Sequence, residues 1–237
     1  MMNKIFASVL MMLSLISCDK DDDNIVIPES SSPTLKLNAT YEVTITEDII
    51  YAEGLSHDSW NSSNTNEVPL FMDSYVPEND LQNRPMLMLI HGGAFVGGSK
   101  QQESIVDMAN YYASRGFVVF SIDYRLRDHM GTIPQEWIDA NSGSAPANLN
   151  QIYAMYPAHR DAKAALRWII ANADNYHINT DYITVGGGSA GAIISIGLGA
   201  SELGDYKDEI SLSEDNTLST TNLSQTYEVQ IILDFWG

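Results

Sequence analysis

The sequence predicts an α/β domain built on a mostly parallel, doubly wound sheet, and three observations carry that expectation. Continuous apolar runs recur through the middle of the chain, amphipathic helical patterns fall between them, and a glycine-rich turn follows two of the runs. Unbroken apolar runs belong to strands covered on both faces, and alternation of strand with helix is the pattern of a parallel sheet with helices above and below. The 237 residues suffice for one such domain with a sizeable core.

The elements follow in order. Tyr41, Val43 and Ile45 alternate with polar residues, which predicts a half-buried edge strand. A second strand is expected through Pro69–Val76, ending at Pro77. The runs Met86–Ile90, Phe117–Ile122, Tyr182–Val185 and Val229–Leu233 predict four buried strands. Between them, Ile105, Met108, Ala109 and Tyr112 follow helical spacing, with Ser99 and Gln102 resembling a capping box at that helix start. Ala162, Ala165, Leu166, Ile169 and Ala173 repeat the spacing, and Pro157 suits a first helical turn. A third helix should open at Ser189–Ala190 and carry Ile193, Ile194 and Leu198. Residues 127–153, rich in Gly, Pro, Asn and Ser, are expected to form a long loop near the sheet top, and residues 205–226 a second excursion.

The N-terminus reads as an export signal. Lys4 gives a positive start, and Ile5–Ser17 is an apolar stretch too short to span a membrane, which needs roughly 20 residues. Residues 1–17 are therefore expected to be a signal peptide. Leu15-Ile16-Ser17-Cys18 resembles a bacterial lipobox, in which a peptidase cuts just before the cysteine and lipid is attached to its thiol, and Cys18 is the sole cysteine of the chain. Residues 18–34, acidic and then rich in Ser and Pro, are expected to be a flexible tether, and residues 35–237 the folded domain. These features predict a lipoprotein on a bacterial outer membrane or cell surface. The 12 Lys and Arg against 31 Asp and Glu leave a net charge of -19, which argues against nucleic acid as a partner because phosphates need a cationic footprint.

Two motifs carry chemistry. Gly187-Gly188-Ser189-Ala190-Gly191 is a G-x-S-x-G sequence between an apolar strand and a helix, the setting of a nucleophile elbow. Glycines two residues either side of the serine leave room for a tight, strained bend that lifts its hydroxyl above the sheet. The following helix aims its positive end at the site. Gly186, Gly188 and Gly191 also fit G-x-G-x-x-G, a dinucleotide fingerprint, but its required acidic residue would be Glu202 or Asp205, expected in helix or loop rather than at a strand end. His91-Gly92-Gly93-Ala94-Phe95 follows the strand Met86–Ile90, and its amides, with that of Ala190, could form an oxyanion hole. His91 is expected to orient the turn rather than act as a base.

HGGAF, then Ser121-Ile122-Asp123-Tyr124-Arg125-Leu126, then Asp161 with Trp168, then Asp181–Gly186 and the elbow occur in that order. The chain thereby resembles the carboxylesterases of the α/β-hydrolase superfamily, in particular the hormone-sensitive-lipase-like and bacterial feruloyl and acetyl-xylan esterase-like group. Asp73-Ser74-Tyr75-Val76-Pro77 matches a D-x-Y-x-P strand of that group. The resemblance spans about residues 41–237 and implies an α/β-hydrolase fold with Ser189 as nucleophile and the Gly92, Gly93 and Ala190 amides as oxyanion donors. Ala94 could substitute for one glycine. It implies no metal and no organic cofactor, an ester of a small molecule or polysaccharide as substrate, and structural roles for Asp123, Arg125 and Asp161. Peptidase activity is also found in the superfamily, and a non-catalytic surface lipoprotein that binds carbohydrate or a partner is the alternative outside enzymology. Such enzymes order the triad Ser, then acid, then His, yet His57, His91, His129, His159 and His177 all precede Ser189. The catalytic His and acid are thus expected to be absent from this chain and the fold to be incomplete at its C-terminus. Asp234 is a lesser candidate for the acid.

Overall fold

The computed structural model describes residues 32–236. The expected signal peptide, Cys18 and most of the tether lie outside them.

Six strands form one sheet in the order β1-β2-β4-β3-β5-β6. They are β1 (Val43–His57), β2 (Thr65–Pro77), β3 (Arg84–Ile90), β4 (Val118–Ile122), β5 (Ile178–Gly188) and β6 (Ile231–Trp236). β1 pairs antiparallel with β2 and β2 with β4, whereas β4, β3, β5 and β6 run parallel. Period-two burial explains the middle of the sheet. Met86, Met88 and Ile90 of β3 and Val118, Phe120 and Ile122 of β4 enter one core, while Leu87, Leu89 and Val119 enter the other. The second core is closed by Ile105, Ala109 and Ala113 of α1 (Glu103–Ala113). The first is closed by α3 (Pro146–Ala171) and α5 (Ala190–Ala200), the latter through Ala190, Ile194 and Leu198. Helices thus cover both faces, as expected for a doubly wound sheet.

Several boundaries differ from expectation. Gln102, not Ser99, is the N-cap of α1, and it makes no side-chain cap bond, so no capping box forms. Residues 127–153 are not a loop. They hold a 3-10 turn at Arg127–His129, α2 (Gln135–Asn141) and the first turns of α3. Pro146 takes the N-terminal position anticipated for Pro157, which instead lies inside the helix. A proline there leaves the carbonyl four residues back without its usual donor, and its ring packs where a Cβ on Gly131 would stand, 2.8 Å away. β6 starts two residues later than anticipated. Gln230 pairs with Ile183 first, its amide donating to the Ile183 carbonyl and its side-chain oxygen accepting the Ile183 N–H.

β1 and β2 outreach the sheet. The first β2 residue paired with β4 is Met72, opposite Ile122. Thr65–Phe71 therefore extends the hairpin by about 20 Å at ~3.3 Å per residue, beyond the edge where β3, β4 and β5 end. Arg125 anchors this arm. Its Nη1 donates to the Leu55 carbonyl at 2.9 Å, and a Cβ on Gly54 would fall 2.7 Å from its guanidinium carbon.

Candidate active site

Adjacent parallel strands whose connections leave to opposite faces open a crevice beyond their C-terminal ends. β3 and β5 are such a pair, because β3 leads to α1 on one face and β5 to α5 on the other. The HGGAF turn and the G-x-S-x-G elbow are the two segments that leave this point.

Ser189 lies between β5 and α5 at φ 53, ψ -118, a conformation that costs a non-glycine residue on the order of 1–3 kcal/mol. The surrounding packing holds it there. A Cβ on Gly187 would stand 2.6 Å from the Gly191 carbonyl carbon, and one on Gly191 would stand 2.9 Å from the His91 carbonyl oxygen and collide with that of Ile90. The expected steric role of both glycines therefore has named opponents, all of them backbone. The Ser189 amide donates to the Trp236 carbonyl of β6 at 2.5 Å, and its carbonyl accepts from Ile193 in the first turn of α5. The serine itself is exposed, while Ala190 is buried at the positive end of α5.

Gly92 packs directly on the elbow. A Cβ there would sit 2.9 Å from the Gly188 carbonyl and 3.4 Å from Ser189 Cβ. Gly93 has φ 115, Ala94 φ 53 and Phe95 φ 61, so the turn runs through left-handed backbone in three successive residues. The Gly93 carbonyl accepts from Val96 at 2.9 Å and from Gly97 at 3.2 Å. The structure thus brings Ser189, Ala190 and Gly92 together, with Gly93 next in the same turn.

Three consecutive side chains after β4 tie this arrangement down. The Asp123 carboxylate accepts the Lys100 N–H at 2.7 Å, fixing the far end of the turn. Tyr124 donates its hydroxyl to the His91 carbonyl at 3.0 Å and stacks on the imidazole, with ring centroids 4.3 Å apart. Arg125 forms a buried bidentate pair with Asp161 of α3, Nη2 to Oδ1 at 2.5 Å. Burial raises the Asp123 carboxyl above its ordinary range and lowers the His91 imidazole, so His91 is neutral near pH 7. His91 Nδ1 lies 2.6 Å from the Gly92 carbonyl, which fits the expectation that it orients the turn. Sequence reasoning missed Lys100 and half of its partnership. The Lys100 ammonium bonds Asp73 at 2.6 Å and Asp48 at 2.8 Å, and the only advance signal was Asp73 in the D-x-Y-x-P strand.

No described histidine hydrogen-bonds Ser189. His57 lies between the Ser62 carbonyl and the Thr132 hydroxyl. His129 accepts the Leu126 N–H, His159 contacts the Met155 carbonyl and stacks on Tyr206, and His177 caps α4 (Ala173–Tyr176) at the opposite edge of the sheet, just before β5 begins. A cavity of about 310 Å³ lies behind the turn, walled by Leu70, Phe71, His91, Ser99, Asp123 and Tyr124 but not by Ser189. Glu202 and Asp205 sit in turns after α5, well before β6, so the dinucleotide fingerprint lacks its strand-end acid. Among the described residues no three His, Cys, Asp or Glu cluster as metal ligands.

The chain is similar to known proteins over this same region. The BD-FAE family model matches residues 72–144 and 148–237. Gut esterase 1 of Caenorhabditis briggsae is 33% identical over 131 residues, 55% of this chain and 21% of that protein. Carboxylesterase 1C of Rattus norvegicus is 30% identical over 158 residues, 66% of this chain and 26% of that protein. The chain therefore spans about a quarter of the length of these relatives. A thermophilic esterase structure from Thermogutta terrifontis, Est2, superimposes with a TM-score of 0.50 at 22% identity, covering 83% of this chain and 53% of that one.

Proposed function

This chain belongs to the BD-FAE family and has the α/β-hydrolase fold, and on that premise we propose that it is the nucleophile-bearing part of a serine carboxylesterase. The observation that carries the proposal is the strained Ser189 at the head of α5, with Gly92 of the HGGAF turn so close that a Cβ there would lie 3.4 Å from the Ser189 Cβ.

In this reading the Ser189 Oγ attacks the ester carbonyl carbon while a general base takes its proton. The carbonyl oxygen becomes an oxyanion held by the Gly92, Gly93 and Ala190 N–H groups, each worth ~3 kcal/mol in the transition state. The intermediate collapses, the ester C–O bond breaks, and the alcohol leaves with the proton. Water, deprotonated by the same base, then cleaves the acyl-serine. None of the described histidines hydrogen-bonds Ser189, and this reading assigns the base to none of them. Acyl and aryl esters are the proposed substrate class, including esters on polysaccharides. We further infer export and lipid anchoring at Cys18, supported by the apolar leader and the Leu15–Cys18 sequence.

The test is hydrolysis of p-nitrophenyl acetate by the complete reading frame of the gene and by residues 1–237. The first should turn over and lose at least ~10⁴-fold in kcat on Ser189→Ala. The second should show no turnover that depends on Ser189. Ester hydrolysis indifferent to Ser189 in both proteins would remove the esterase reading and favour a binding protein that keeps the fold.

A further inference from the structure

The turn after β3 reaches as far as Lys100, where carboxylates from three other segments meet it. Asp73 of β2 is fully buried and accepts from the Lys100 ammonium at 2.6 Å, from the Asp48 N–H at 2.9 Å and from the Gln101 side-chain amide at 3.3 Å. Asp48 of β1 accepts a second bond from the ammonium at 2.8 Å, and Asp123 accepts the Lys100 backbone N–H at 2.7 Å. The Lys100 side chain is 5% exposed, so solvent screens these bonds little.

An irregularity of the sheet builds the Asp48 contact. Thr46 pairs with Ser74 and Ile49 with Met72, so β1 advances three residues where β2 advances two. Asp48 lies in this bulge at φ 57, a left-handed conformation uncommon for a residue with a side chain. Bulges re-aim side chains, and this one brings the Asp48 carboxylate to Lys100 and its N–H to Asp73.

Close packing connects this cluster to the nucleophile. Two residues before Lys100, Gly98 has φ 100 and lies so near the Gly92 carbonyl and the His91 imidazole that a Cβ would collide with both. Gly92 lies in turn against the elbow, where a Cβ would stand 2.9 Å from the Gly188 carbonyl. A shift at Lys100 is therefore passed through Gly98 to the amides of Gly92 and Gly93. The ammonium also balances charge. Among the described residues it is the only Lys or Arg side chain bonded to Asp48 or Asp73, and Asp123 has none. Burial works against the ammonium, but its bonds to Asp48 and Asp73 outweigh that and keep it charged. Without it, negative charge beside the turn would oppose an oxyanion held by the same turn.

We propose that Lys100 is a positioning residue for ester hydrolysis, holding the Gly92 and Gly93 amides on the oxyanion through Gly98, with Asp73 and the β1 bulge at Asp48 as its mount. It acts on the transition state, where the oxyanion forms, and leaves substrate binding largely alone. The proposal rests on the esterase reading and adds to it a residue remote from the elbow.

The test is hydrolysis of p-nitrophenyl acetate by the complete reading frame, together with inhibition by n-butylboronic acid, whose tetrahedral serine adduct imitates the intermediate. Lys100→Met should lower kcat by about 10²-fold, the loss expected for amides displaced by about 1 Å, while KM changes less than about threefold. The boronic acid should weaken by a factor similar to that in kcat. Because Lys100→Met strands the buried Asp73 carboxylate, a second variant combines it with Asp73→Asn. The double variant should regain much of the lost melting temperature yet stay at least about tenfold below the parent in kcat, since the turn is still unclamped. Recovery of kcat along with the melting temperature, parental kcat in either folded variant, a rise in KM at unchanged kcat, or failure of both variants to fold would overturn the proposal and leave the esterase reading standing. A parent whose turnover is indifferent to Ser189 would instead remove that reading and this proposal with it.

Discussion

Asp161→Asn tests how the hairpin arm and the elbow are held in one frame. The parent pair is almost fully enclosed, with the Arg125 and Asp161 side chains 1% and 2% exposed. Asp161 also accepts the Arg125 backbone N–H at 2.8 Å, and the guanidinium carries the Leu55 carbonyl. The asparagine keeps the volume but removes the counter-charge, stranding a buried guanidinium whose ionised form Asp161 had favoured. Breaking one side of a buried pair costs about 3–5 kcal/mol. In a domain of this size that corresponds to a melting temperature lowered by about 6–20 °C. Urea denaturation followed by tryptophan fluorescence reads the loss. Replacing both partners by apolar residues, Arg125→Met with Asp161→Leu, should cost less than Asp161→Asn alone because no charge is left buried. A loss below about 1 kcal/mol for Asp161→Asn, or a double variant worse than the single one, would refute the reasoning.

Further outcomes follow from the same structure. Gly191→Ala must push the elbow away from the Ile90 and His91 carbonyls, so ester hydrolysis by the complete reading frame should fall at least about 10²-fold for a displacement near 1 Å, with a smaller loss in the melting temperature. Lys163, buried in α3 and bonded to the Glu202 and Asp205 carbonyls, has its ammonium lowered by burial from 10.5 to about 8. Between those values the unfolded chain holds the proton that the folded chain releases, so this group makes stability rise with pH from about 8 towards 10.5. Urea midpoints of the parent should climb relative to Lys163→Met across that window, and parallel curves would contradict the assignment. Cys18→Ser should move the protein from the membrane pellet to the soluble fraction of a bacterial host, and an unchanged pellet would remove the lipid anchor.

The parts of this molecule that were legible in advance are those whose cause is local. β3 is readable because its burial is complete, and every residue from Arg84 to Ile90 is buried. The elbow is readable because its sterics demand glycine at Gly187 and Gly191 whatever else surrounds it. Features set by distant partners were not legible. β5 begins at Ile178, before the apolar run, because Ile178 pairs with Arg84 although Asn179, Thr180 and Asp181 carry no strand pattern. The misplacement of Pro157 has the same origin, since its position inside α3 depends on space that Gly131 leaves. The Lys100 clamp joins residues 27 and 52 positions apart, and nothing near Lys100 announces it.

The most direct measurement is a crystal structure of the complete reading frame after reaction with a p-nitrophenyl alkylphosphonate, whose tetrahedral phosphorus imitates the oxyanion intermediate. The account predicts phosphorus bonded to Ser189 Oγ, with one phosphoryl oxygen about 2.7–3.1 Å from the Gly92, Gly93 and Ala190 nitrogens. An adduct on another residue, or an oxygen turned away from those amides, would contradict it.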